Sequence, residues 1–176
     1  KNYNKNSKNL GLVGNFNKIL ENIDSKYFMI LADDDFINIS FVKKALSEFD
    51  NNNELAWVGS KSLIYNVIDK YYYFVGHQLK NKNYHFDVDY KKYDYNLRYN
   101  IPLCSIIFNS AFVNKKIRIN NIGDDRSLLF KISLNNKYKL INSVGGIFTL
   151  NESSFSYNGG FSNFNKEYIK FSKKEE

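Results

Sequence analysis

Three consecutive acids, Asp33, Asp34 and Asp35, close the run Tyr27 to Leu31, which is apolar or aromatic throughout and is followed by Ala32. Carboxylates this close repel one another. A divalent cation relieves the repulsion by taking oxygens from two or more of them together with a substrate phosphate, and Mg²⁺ or Mn²⁺ carrying a diphosphate fits best. The competing reading gives the acids only the tasks of solvating a strand end and capping the next helix, for which one acid would suffice.

A second acidic pair, Asp124 and Asp125, follows Gly123 at the start of an amphipathic segment. Acids at a helix N-terminus are stabilised by free N–H groups and the helix dipole, so capping explains one of them. The other is then free to act as a general base toward a hydroxyl, and spacing alone leaves both readings open. Other chemistry-bearing residues point elsewhere. His77 and His85 have no ligand-like spacing, and Asp87 and Asp89 have no apolar strand before them. Cys104, between Leu103 and Ile106, reads as a small buried hydrophobe with no base nearby to activate it. The aromatic run Tyr71 to Phe74 reads first as sheet packing, and as a stacking surface only if it borders a cleft.

The elements that must position these residues follow from hydrophobic spacing. Val13, Phe16, Ile19, Leu20 and Ile23 recur as one helical face, and Tyr27 to Leu31 then predicts a buried strand. Ile39, Val42, Ala45, Leu46 and Phe49 predict a second helix that stops at Asp50 to Asn53. Leu55 to Tyr65 and Tyr71 to Leu79 predict strands joined by a turn near Asn66 to Lys70. Lys80 to Asn100 reads as a long irregular connector and is the candidate acceptor side, because long loops commonly carry function. The run from Ile101 to Phe108 predicts a strand with Pro102 at its start. Gly123 to Asn136 predicts a third helix, and Tyr138 to Leu150 a pair of short strands bent at Gly145 and Gly146. Helix, strand, acids and helix in that order predict an α/β sheet with ligands at the carboxyl ends of its strands.

The chain has 176 residues, 43% of them hydrophobic, enough for one domain with a core. One cysteine makes no internal disulfide, and no leader or long apolar span is present, so a cytoplasmic protein is expected. The net charge of +7 and the 17% aromatic content would suit an anionic partner. Basic residues are scattered along the chain, however, and no nucleic acid partner is expected. The segment 163–176 reads as a loose basic tail, with its lysines from Lys166 to Lys174 a candidate peripheral contact with an anionic membrane at its inner face.

The segment from Asn9 to Ile37, with an Asn-x-Gly opening, a helix, an apolar strand and the acidic run, resembles the central part of inverting family 2 glycosyltransferases of the GT-A fold. The segment Gly123 to Ile141 resembles a later family segment in which an acidic pair begins a helix. The resemblance implies a GT-A-like mixed sheet flanked by helices, a nucleotide-sugar donor, and a glycan or lipid-linked glycan acceptor. It further implies a divalent cation (Mn²⁺ or Mg²⁺) at Asp34 and Asp35, and nucleotide contacts from Asp33, nearer the ribose, and from Asn9 and Asn15. Asp125, with Asp124 beside it, takes the place of the catalytic base. Family members usually begin with a further nucleotide-binding strand and helix, so the chain is expected to be truncated at its N-terminus. The readings from other classes are a non-catalytic module for nucleic acid or another anion, and an inactive transferase fragment.

Overall fold

A computed structural model describes residues 5–75, 82–85, 101–113, 117–120, 125–133 and 136–152. In chain order the elements are α1 (Gly11–Glu21), β1 (Tyr27–Phe28), β2 (Phe36–Ile37), α2 (Ile39–Asn51), β3 (Leu55–Asn66), β4 (Tyr71–Val75), β5 (Lys82–His85), β6 (Ile106–Asn109), α3 (Asp125–Ser133) and β7 (Lys137–Leu150). Short 3₁₀ turns at Leu103–Ser105 and Ser110–Phe112 bracket β6.

The two long strands β3 and β7 run parallel, from Leu55 opposite Lys137 to Asn66 opposite Leu150. Shorter antiparallel strands complete the mixed sheet. Along the other edge of β3 lie β6 and then β4, β1 adds to β6, and β5 and β2 lie along the other edge of β7. Adjacent residues of a strand face opposite sides, so Trp57 and Val58 divide the core in two. Trp57 belongs to a cluster with Phe16 and Leu20 of α1, Leu128 and Ile132 of α3, and Leu140. Val58 belongs to one with Phe41, Ala45 and Phe49 of α2, and Ile141. Helices therefore flank the sheet on both faces, as the sequence predicts for this class.

Two of the helices, α3 and α2, are each seated by a specific side chain. Trp57 stacks on Tyr138 with ring centroids 4.3 Å apart, and its Nε1 donates to Ser133 Oγ at 2.9 Å, fixing the end of α3. Asn38 caps α2: its Oδ1 accepts from Ser40 N at 2.9 Å. The same residue reaches β7, where its Nδ2 donates to Val144 O and its backbone N–H to Gly145 O, each at 2.8 Å.

Several elements differ from the sequence expectations. The predicted buried strand over Tyr27 to Leu31 is a strand only at Tyr27–Phe28 and is half-buried there, while Leu31 is 43% exposed. The chain leaves β6 after two pairs and turns out toward the acids. Residues 101–108 begin with a 3₁₀ turn before the strand, which Pro102, without an N–H to give a ladder, precedes. The irregular stretch Lys80 to Asn100 contains β5, paired to β7; its remainder lies outside the described residues, as do His77, Asp87, Asp89 and the tail 163–176.

The predicted pair of strands at Tyr138 to Leu150 is one strand, β7, with register shifts between the positions opposite Ser60, Lys61 and Ser62. The glycines do not break it; they let its neighbours close in. A Cβ at position 146 would lie 2.6 Å from Cys104 O and 2.7 Å from Phe36 O, and one at position 145 would lie 2.3 Å from Ser60 Oγ. Gly146→Ala is therefore expected to lower unfolding free energy by about 1–3 kcal/mol, as overpacking does. Urea denaturation measures this, and an unchanged midpoint would mean that β2 and the Leu103–Ser105 turn can move apart without cost.

Candidate active site

The three acids lie on a tight turn between β1 and β2, closed by Asp35 N donating to Ala32 O at 3.3 Å. Because Phe36 sits opposite Ile147, the turn falls beside the last residues of β7. Asp34 Oδ2 accepts from Asn151 Nδ2 at 2.8 Å, and Asp35 Oδ1 accepts from Thr149 N at 2.9 Å. Both carboxylates are half-buried, whereas Asp33 is exposed. Asn38 performs the capping of α2, so none of the three acids is needed for that task.

Burial raises the pKa of Asp35 from 3.8 to about 6, against the pull of the Thr149 N–H, and the charges of Asp34 and Asp33 add to the rise. The Cys104 thiol also bonds to Asp35 and favours its ionised form. That thiol is itself pushed up to about 12, first by burial and then by the Asp35 charge, so it stays a neutral donor. Cys104 is thus more than the inert hydrophobe its neighbours in sequence imply. Thr149 Oγ1, on the residue whose N–H holds Asp35, is buried without a hydrogen-bond partner.

Among the described residues no three His, Cys, Asp or Glu side chains converge as a metal cage. The arrangement does fit a cation held by one or two carboxylates with phosphate and water completing the shell, which is the mode Mg²⁺ favours. Asp34 and Asp35 are the half-buried carboxylates of the turn, and burial more than the neighbouring charges sets the raised pKa of Asp35.

The other candidates are placed as follows. Asn9 Oδ1 accepts from Gly11 N at 2.8 Å, at the start of α1, where Gly11 has a φ of +65°. Asn15 Oδ1 accepts from Asn6 Nδ2 at 2.6 Å, so both asparagines are exposed and bonded within the first turns of the chain. Asp125 is the first residue of α3, and Asp124 lies outside the described residues. Thr149 and Asn151 went unnoticed in the sequence; the legible signal was a polar residue directly after the last apolar strand, in Leu150-Asn151.

The sequence matches the family model described as Glycosyl transferase family 2 over residues 2–114, more than half of the chain. The chain belongs to glycosyl transferase family 2. No curated protein matches it. The matched part of this family 2 domain contains Asn9, Asn15 and all three acids of the turn, and ends before Asp124, Asp125 and β7. Glycosyl transfer is the chemistry of the family, with nucleotide-sugar donors and glycan acceptors typical of it. Among the described residues no helix is long and apolar enough to cross a membrane.

With a folded-state pKa near 6 against 3.8 for the free group, the folded chain binds the Asp35 proton more tightly than the unfolded chain does. Stability is therefore lost as pH rises between those values. Asp35→Asn removes the charge and keeps an acceptor for Thr149 N. Thermal melts are expected to place this variant above the wild type near neutral pH, with the gap closing toward pH 4; a constant gap would assign the effect to packing.

Proposed function

We propose that this family 2 domain transfers a sugar from a nucleotide-sugar to a hydroxyl of a glycan or lipid-linked glycan, of the kind that builds surface polysaccharides, with inversion at the anomeric carbon. The observation that carries this reading is the acid turn: it lies in the family-matched segment, is released from helix capping by Asn38, and is held by Thr149 of β7 and by Asn151 just after it. Asp34 and Asp35 hold a divalent cation at the donor diphosphate, Asp33 lies toward the ribose, and Asn9 and Asn15 contribute to nucleotide binding. The cation, when bound, offsets the charge that develops on the leaving diphosphate.

Asp125 acts at the other end of the displacement. Its carboxylate takes the proton of the acceptor hydroxyl as the oxygen bonds to the anomeric carbon and the bond to the diphosphate oxygen breaks. Its place at the N-terminus of α3, whose other end is clamped by Trp57 and Ser133, keeps the base on a rigid element. The neutral Cys104 thiol and the Thr149 N–H orient Asp35 without adding charge.

The test separates the two ends. Calorimetric titration with uridine diphosphate and Mn²⁺ is expected to show metal-dependent binding that Asp34→Asn abolishes. Asp125→Asn should retain donor binding and lose turnover by at least about 100-fold, the scale of a lost general base. Asp34→Asn with wild-type binding, or Asp125→Asn with wild-type turnover, overturns the corresponding assignment.

A further inference from the structure

Two tyrosines extend the site along one face of the sheet. Ser62 Oγ donates to Ser105 Oγ at 2.7 Å, and the neighbouring Cys104 bonds to Asp35, so the Leu103–Ser105 turn joins Ser62 and the Asp35 carboxylate on a common side. Alternation along β3 directs Ile64 and Asn66 to the side of Ser62. Their partners across the hairpin are Tyr73 and Tyr71, which therefore project to that side as well.

Ile64 also pairs with Phe148, directly before the Thr149 that holds Asp35. Two interstrand steps, from β7 through β3 to β4, place Tyr73 about 10 Å from that point. On the opposite side Tyr72 and Tyr65 cover each other in a parallel stack, with centroids 4.4 Å apart and planes at 14°. Tyr71 and Tyr73 are tilted at 31° with centroids 5.8 Å apart, and remain 47% and 40% exposed.

The hairpin that presents them is fixed. Buried Asn66 accepts from Ile68 N and Asp69 N, each at 3.0 Å, and donates to Asp69 Oδ2 at 2.9 Å. Val67 N donates to Leu150 O at 2.9 Å, tying the turn to the end of β7.

We propose that Tyr71 and Tyr73 form a stacking subsite for a sugar ring of the acceptor glycan, remote from the ring that reacts at the acid turn. The occupant follows from the place of both tyrosines on the sheet face of the candidate active site, two strands from the residue that holds Asp35, and from the chemistry of tyrosine, whose ring packs on the C–H face of a sugar while its hydroxyl bonds to a sugar hydroxyl. Partial burial and the adjacent Tyr71 raise the pKa of Tyr73, keeping its hydroxyl protonated as a donor. The proposal rests on the glycosyl-transfer reading above and adds where a longer acceptor is held.

The test is calorimetric titration of the wild type, Tyr71→Ala, Tyr73→Ala, Tyr73→Phe and Tyr72→Ala with cellohexaose, maltohexaose and chitohexaose, with uridine diphosphate and Mn²⁺ titrated separately. At least one saccharide is expected to bind, about fivefold more weakly to Tyr71→Ala and Tyr73→Ala and about twofold more weakly to Tyr73→Phe, which keeps the ring and loses the hydroxyl, with Tyr72→Ala close to wild type. Nucleotide affinity should be unchanged in all variants, which also reports that they are folded. Absence of saccharide binding to the wild type, or binding indifferent to both tyrosines, overturns the subsite. Failure of the nucleotide titration in the wild type tells against the reading of the acid turn instead.

Discussion

Asn38 joins three parts of the structure that the chain leaves far apart. One side chain caps α2, and the same residue bonds the backbone of β7 at Val144 and Gly145, more than a hundred positions later. Through β2, which begins two residues before it, this anchor decides where the acid turn lies against β7. The glycines at 145 and 146 are the other half of the constraint, because their missing side chains are what permit the approach. Without them Asp34 and Asp35 would have no fixed position relative to Asn151 and Thr149.

Three acids of the fold meet cations, Glu21 with Arg118, Glu54 with Lys137 and Glu48 with Lys139. The acids of the turn have no cation partner among the described residues. Asp34 and Asp35 instead receive an amide, a backbone N–H and a thiol, all neutral. Neutral donors orient a carboxylate while leaving its charge for something else to meet, which is the arrangement a site for a cation and a diphosphate requires.

Much of this was legible in the sequence, and the residues show why. The helices were visible because their buried positions recur at helical spacing, as in Phe41, Ala45 and Phe49. The acids were visible because three like charges in a row have few structural uses. The length of the strand before them was not, since its apolar residues are half-buried or, at Leu31, exposed. Gly145 and Gly146 read as a break because local propensity carries no information about what approaches from outside the strand. The cap of α2 falls on Asn38 rather than on an acid, a distinction that spacing alone does not make. The contact between Cys104 and Asp35, and the hold of Thr149 and Asn151 on the turn, depend on chain crossings over long separations.

Cys104 is the chain's single thiol, and it is sealed beneath Asp35 with 1% of its surface exposed. A group so placed reacts with a thiol-specific reagent only when the floor of the site opens, and its high pKa slows the reaction further. The protein therefore carries a native reporter at its candidate catalytic edge. The labelling rate measures local opening there with no introduced probe, and any ligand that tightens the acid turn against β7 registers as protection of one sulfur atom.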